Sequence, residues 1–270
     1  MTSCFIAEMT SEQCSRAAGE NAVVVIPMGS TELEGTHLPL GVDTIVAGGV
    51  AKQLNGIPGV FIGPTLPIGY SKWFLPFSGT ISLESETLTR VLIEYVKSLL
   101  SAGFHRFVFL NAHRGNNACI EAAARTLTAD NRVRIGMLSL WKLANDLCAV
   151  QDGIIAEGRF THAGEIMTST VMALKPDTVV HDRMHADQLK SWEKIEFKVQ
   201  NSLGDIDFKG SVQTLYADIR EITDTGIMGD PTDASAEKGG KIVSRIANYS
   251  REFLKEFQKI SIQGDRTETP

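Results

Sequence analysis

Residues 22–43 read AVVVIPMGSTELEGTHLPLGVD. The first six, Ala22–Pro27, are apolar and mostly β-branched, and they run into a loop that contains glycine. A short apolar run bounded in this way reads as a strand buried on both faces. The pattern recurs in VFIGP (Val60–Pro64), RFVFLNAH (Arg106–His113) and RIGMLSL (Arg134–Leu140). Helical patterns lie between these runs. One covers Asp43 to about Leu54. A second, LTRVLIEYVKSLLSAG, follows the acidic stretch Glu84–Glu86 and stops at Gly103, where a C-terminal glycine cap belongs. A third, CIEAAARTLTAD, follows His113. Strand, helix, strand, helix predicts an α/β fold: three layers, with a mostly parallel sheet flanked by helices. A further helix is expected over Ala163–Leu174, stopped by Pro176. A polar, less regular region follows from about His181 to Asp230. A long helix over Ala234–Phe257 closes the chain, and the last residues, GDRTETP, are expected to be disordered. No repeat or linker interrupts the sequence, which reads as one domain over residues 1–270.

The composition narrows the function. Of 270 residues, 43% are hydrophobic and 21% charged, which is ordinary for a globular protein. A chain of this length buries a core without disulfides. The formal net charge of -6, with no cluster of Lys and Arg, argues against a nucleic-acid partner. Cys4, Cys14, Cys119 and Cys148 are scattered and form no metal ribbon or disulfide framework. That usage fits a reducing cytosol. The N-terminus lacks the pattern of a secretory signal, and no apolar stretch approaches the roughly 18 residues of a membrane span. A cytoplasmic location is expected.

Ligands of an open parallel sheet bind beyond the carboxyl ends of its strands. The segment after the first strand holds Glu32, Glu34, His37 and Asp43, and the one after the third holds His113. If these strands are neighbours, three carboxylates and two imidazoles meet on one rim. Carboxylate and imidazole together suit a hard or borderline divalent cation. Each residue alone reads more simply as solvated surface or as a hydrogen-bonded structural group. Their shared placement at strand ends favours function, because such loops carry sites disproportionately.

Several segments resemble the creatininase family of amidohydrolases. GSTELEGTHLPLGVDT is similar to the family's metal-binding stretch G-S-x-E-x-H-G-x-H-L-P-x-x-x-D. NAHRGN is similar to N-G/A-H-G-G-N, and HAGEIMTS (His162–Ser169) to H-A-G-E-x-E-T-S. GYSKWFLPFSGTISL (Gly69–Leu83) and GIMGDPTDASAEKG (Gly226–Gly239) are similar to two further family motifs. The matches run in order from about residue 22 to residue 250. The resemblance implies a divalent metal, one or two per subunit, such as Zn, Mn or Fe. It implies Glu32, Asp43 and His113 as ligands, with Asp43 bridging a pair of ions. It makes His162 a residue near the metal that moves protons or positions substrate. Glu165, one turn along the expected helix, could then face the same cavity. A small-molecule substrate and a homo-oligomer, often hexameric, are also implied.

The sequence departs from the family pattern in places. Glu34 stands where most members have a ligand histidine, and Met167 where most have Glu. His37 matches a second, usually non-ligating histidine. The histidine of the Gly69–Leu83 segment is absent, with Phe74 or a neighbour in its place. In one account Glu34 takes over as a ligand and Met167 packs or touches substrate. In the other the second metal is weak or absent. Ser71, Trp73, Arg114, Trp141 and Met167 are the candidate substrate contacts. Trp73, Trp141 and Trp192 could wall a pocket for a planar substrate or simply pack in a core. Arg114 stands where the family has glycine and could meet an anionic substrate or form an ion pair. Ser30 lies outside a nucleophile elbow, so a serine hydrolase is disfavoured.

The implied function is hydrolysis of a small non-peptide amide, cyclic amide or formamide by metal-activated water. Two alternatives stay open. The same site could act on another bond, such as a ring diketone C–C bond, or the chain could be a non-catalytic descendant.

Overall fold

The computed structural model describes residues 4–19, 21–130, 132–158, 160–190, 198–199 and 205–262. The expected disordered tail and Trp192 lie outside these residues. A parallel sheet is built from β1 (Val23–Met28), β2 (Val60–Ile62), β3 (Arg106–Asn111) and β4 (Arg134–Ser139), in the order β2-β1-β3-β4. β1 and β3 pair along their whole length, from Val23 opposite Arg106 to Met28 opposite Asn111. Every residue of both strands is buried. The apolar runs are therefore continuous rather than alternating, as strands covered on both faces require.

The two faces are packed separately. Val23, Val25, Val108 and Leu110 face a core shared with α2 (Val42–Gln53), α6 (Glu165–Leu174) and α7 (Ala236–Gln258). Val24, Ile26, Phe107 and Phe109 face a second core with α3 (Ser85–Ser101) and α4 (Asn117–Asp130). This is the three-layer arrangement expected from sequence. A short helix, α1 (Ser11–Ala17), precedes the sheet; Thr10 caps it by accepting from the Gln13 backbone N–H while Gln13 returns the bond. After β4 the chain forms α5 (Leu140–Ala144) and a π-helical turn over Asn145–Gln151.

One region differs from the sequence reading. The polar stretch from about His181 to Asp230 contains a small antiparallel sheet: β5 (Lys198–Val199), β6 (Asp205–Phe208) and β7 (Ser211–Thr214). Lys209 and Gly210 both adopt positive φ, 53° and 84°, which is the backbone of a two-residue type I′ hairpin turn.

The order β2-β1-β3-β4 reverses direction between β1 and β3. The crevice beyond the carboxyl ends of these two strands is where an open sheet of this kind binds ligands. No helix among the described residues is long and apolar enough to cross a membrane.

Candidate metal centre

Tight backbone turns and side-chain amides build the floor of this crevice. Gly29 follows β1 directly. A Cβ there would lie 2.4 Å from the Thr44 backbone nitrogen and 2.5 Å from the Asp43 carbonyl carbon, so only glycine lets α2 start this close. Asn116 ties three segments together. Its Nδ2 donates to the Gly29 carbonyl at 3.0 Å and to Asn111 Oδ1 at 3.2 Å, while its Oδ1 accepts from the Tyr70 N–H at 2.9 Å. Asn111 Oδ1 also accepts from the His113 N–H at 3.1 Å, and Asn111 Nδ2 donates to the His113 carbonyl at 2.7 Å. Such amides satisfy buried backbone groups that no sheet or helix reaches.

These contacts bring the ionisable residues into two overlapping clusters. Glu32, Asp43 and His113 form one, and Glu32, Glu34 and His162 form the other; the ligand atoms of each lie within 4.8 Å of one another. All five side chains are buried. Glu32 is the member common to both. Asp43 is held in place: Trp141 Nε1–H donates to Oδ1 at 2.8 Å, Ser30 Oγ–H donates to Oδ2 at 2.8 Å, and His113 Nδ1 lies 2.9 Å from Oδ2.

Both imidazoles are oriented by backbone carbonyls. His113 Nε2 donates to the Tyr70 carbonyl at 2.9 Å, and His162 Nδ1 donates to the Gly226 carbonyl at 2.7 Å. In the neutral rings the other nitrogen of each then carries a lone pair. His113 Nδ1 points at Asp43 and, at 3.4 Å, at Glu32 Oε1. His162 Nε2 lies 3.1 Å from Glu34 Oε2 and 3.8 Å from Glu32 Oε1, without the alignment of a hydrogen bond. Lone pairs facing carboxylates in a buried site repel unless a cation or a proton lies between them.

Several buried polar atoms without partners fall at the same location. Glu32 Oε2, both carboxylate oxygens of Glu34, and His162 Nε2 are buried with no hydrogen-bond partner among the described residues. A buried charge left in this state costs several kcal/mol, on the order estimated for unpaired ions in proteins. The protonation equilibria reflect the strain. Burial, then the charges of Asp43 and Glu32, hold the Glu34 carboxyl well above the usual carboxylate range. Burial also acts to raise Glu32, but the charge of His113 and contacts from His162 and Ser71 outweigh it and lower its pKa. For His113 burial favours the neutral ring, yet Glu32 and Asp43 push the pKa up to about 9. Oxygen and imidazole donors with unused lone pairs, surrounding excess negative charge, fit a divalent cation.

The clusters open into a cavity of about 530 Å³. Of the candidates, Glu32, Glu34, Asp43, His113, Arg114, Trp141, His162 and Met167 all line it. Three other candidates do not. Ser71 is buried behind the site, its Oγ 3.4 Å from His113 Nε2, so it lies against that imidazole rather than on the cavity wall. Trp73 donates its Nε1–H to the Ala217 carbonyl at 2.6 Å and packs with Phe74 in a separate apolar cluster. Glu165 turns away: one oxygen pairs with Lys238 Nζ, and the other accepts from the Glu157 N–H at 2.9 Å. His162 is not on α6, which begins at Glu165. Ala163 intervenes at φ 55°, so helical spacing does not relate the two residues. Met167 Sδ accepts from the Ala163 N–H at 3.2 Å, bracing the same turn.

Two aromatic walls escaped the sequence reading as site residues. Phe74 stacks on His162, centroids 4.8 Å apart and planes 13° apart, and Phe160 stacks on Trp141 at 5.4 Å and 22°. Phe74 carried a signal, because it or a neighbour stands where the resemblance expects a histidine. Phe160 carried none. His37, buried with Nε2 2.8 Å from Thr168 Oγ1, belongs to neither cluster.

Comparisons with known proteins show the family and the fold. The family model described as Creatininase, creatinine amidohydrolase, matches residues 7–254. The chain is 30% identical over 244 residues to the mycofactocin precursor peptide peptidase of Mycobacterium ulcerans (strain Agy99), covering 84% of this chain and 85% of that protein. It is also 30% identical over 198 residues to the creatinine amidohydrolase of Pseudomonas putida, covering 67% of this chain and 76% of that protein. A solved structure described as creatininase with Mn superimposes with a TM-score of 0.74 at 25% identity, covering 96% of this chain and 100% of the other.

Proposed function

The chain belongs to the creatininase family of hydrolases, and from that premise we propose that it cleaves an amide C–N bond of a small molecule, such as a cyclic amide or a formamide, using one or two divalent ions such as Zn, Mn or Fe. The observation that carries this reading is the convergence of unused lone pairs from Glu32, Glu34 and His162, beside His113 Nδ1, in one lined cavity. Glu32, Asp43 and His113 would hold one ion, and Glu32, Glu34 and His162 a second. A divalent ion bound there supplies Lewis acidity and lowers the pKa of water from about 15.7 towards about 7.

The protein side of the mechanism follows from the contacts. Trp141 and Ser30 fix Asp43, and Tyr70 fixes the His113 ring, so the ligand atoms are oriented before substrate arrives. Phe74, Trp141, Phe160 and Met167 provide apolar walls that exclude bulk water and suit a small planar group. His162 has one free nitrogen. If Glu34 and His162 hold a second ion, that nitrogen is a ligand. If one ion is bound, the same nitrogen can carry a proton to the leaving amine, a role worth roughly 100- to 10,000-fold in rate. The Gly226 carbonyl and the Phe74 ring hold it in place for either task. Glu165 has no part in the proton path, because its carboxylate serves Lys238 and the Glu157 backbone.

A second reading concerns the substrate alone. The M. ulcerans relative is named as a peptidase, which favours a peptide amide. A non-catalytic descendant is disfavoured, since a retired site has no reason to keep partnerless carboxylates buried. A single domain over residues 1–270, a homo-oligomer, hexameric by resemblance, and a cytoplasmic setting belong to the same proposal.

The test uses protein purified without chelator and supplemented with Mn²⁺ or Zn²⁺. Ions per subunit are counted, and cyclic amides, formamides, peptide amides and ring diketones are assayed. Glu32→Gln should lose metal binding and hydrolysis together, because Glu32 belongs to both clusters. Full activity in that variant would overturn the assignment.

A further inference from the structure

Outside the metal clusters, the ionisable residues lining the cavity are Arg114 and Lys142. Every carboxylate of the lining belongs to the clusters at the floor. The walls between are Phe74, Trp141, Phe160 and Met167, which carry no charge. The cavity is thus polarised, with acidic ligands at its base and two cations on its lining.

Each cation is paired with an aspartate, but in a solvent-exposed pair. Arg114 lies in the turn that follows His113; its side chain is 58% exposed and it approaches Asp205 Oδ2 at 3.4 Å, longer than a well-formed charge-assisted hydrogen bond. Lys142, on α5, is 73% exposed and pairs with Asp146 one turn further along. Exposed pairs of this kind are weak. Asp205 and Asp146 do not line the cavity, although the cations they touch do. Guanidinium and ammonium groups at the mouth of a cleft focus the field on an incoming anion.

We infer that the substrate carries a carboxylate beside its scissile amide, received by Arg114 and Lys142 at the cavity mouth while the amide reaches the floor. The inference rests on the hydrolase reading, whose substrate class it narrows. The carboxylate could come from the last residue of a peptide or from a small ring amide bearing an acid. Both present the same chemistry to the two cations, and Arg114 can meet it with two parallel N–H donors.

The experiment uses the metal-supplemented full chain and matched probes. N-acetylphenylalanine is compared with its carboxamide, and 2-pyrrolidone-5-carboxylate with its carboxamide, both for binding by calorimetry and for hydrolysis. The acid of at least one pair should bind more tightly than its amide by roughly tenfold, the scale of one good charge-assisted contact. The preference should shrink as salt is raised and collapse in the double variant R114Q/K142Q. Preference within the linear pair alone assigns a peptide terminus; preference within the cyclic pair alone assigns a ring acid. Equal binding of acid and amide would overturn the inference. So would a preference unchanged in R114Q/K142Q, because the carboxylate would then be going to the metal. Binding decides this even where no probe is cleaved, whereas hydrolysis of acid and amide alike would sustain the hydrolase reading and remove only the carboxylate.

Discussion

Replacing Glu34 with Gln separates a ligand from a bystander. In the metal-free protein the Glu34 carboxyl is buried without partners and its pKa is raised by burial, Asp43 and Glu32. The sign follows from the direction of the shift. The native state holds the proton while the unfolded chain releases it above its ordinary value of 4.5. Glu34 is therefore harmless below that pH, and its presence erodes stability as pH rises through the native pKa. The loss is about 1.4 kcal/mol per pH unit while the native group stays protonated. Glu34→Gln removes this proton linkage while keeping the shape. Metal-free E34Q should match wild type near pH 4.5 and exceed it at higher pH, the gap growing by about 3 °C in Tm per pH unit until the native carboxyl ionises. Saturating Mn²⁺ or Zn²⁺ should reverse the order, because a ligand present at 100 times its Kd contributes about 2.7 kcal/mol, and E34Q lacks one ligand. Thermal melts over pH 4.5–7.5, with chelator and with metal, measure both effects. A variant destabilised without metal, yet shifted by metal as much as wild type, would show that Glu34 neither carries the strain nor binds the ion.

Gly115→Ala places a Cβ 2.3 Å from the Tyr70 carbonyl oxygen and 2.4 Å from His113 Nε2, inside the hydrogen bond that aims the ring. Metal affinity should fall about 10- to 100-fold, as for loss of a group that orients a ligand; unchanged affinity in a metal titration would contradict that aim. His37 is pushed down to about 4, chiefly by burial and then by His185. It stays neutral in the fold while the unfolded chain takes up a proton, so stability is complete above about pH 6.5 and declines from there to about pH 4 by up to about 3 kcal/mol. Urea midpoints for wild type and His37→Gln should diverge across that window, and a constant difference would refute the assignment. Glu165→Gln breaks a buried pair with Lys238 and should cost about 2–3 kcal/mol, below the cost of a fully buried pair because Lys238 is partly exposed. Its kcat should stay within a few-fold of wild type; a thousandfold loss at unchanged stability would return Glu165 to the proton path.

The strands were legible because Val23–Ile26 and Phe107–Leu110 have no polar residue to compete with burial on either face. Their adjacency, which decides whether Glu32, Asp43 and His113 can meet, is a property of the sheet and not of any local stretch. The β6–β7 hairpin was overlooked because β7 is exposed throughout and offers no apolar side to read. Its one local sign was the Lys209–Gly210 pair. Glu165 was misjudged for a different reason. The spacing from His162 presumes a helix through both residues, and the left-handed Ala163 ends that presumption. No periodicity reveals which ring nitrogen faces the carboxylates. That depends on Tyr70 and Gly226, which are 43 and 64 residues away in sequence.

Asn116 grips the ends of β1 and β3 and the segment at Tyr70 with a single carboxamide. Three stretches of chain that are remote in sequence therefore share one clasp, and none can drift without tugging the others. Change over time at this edge of the protein should be lopsided: the outer wall can be refitted for new molecules, while the clasped corner either persists whole or comes apart at once.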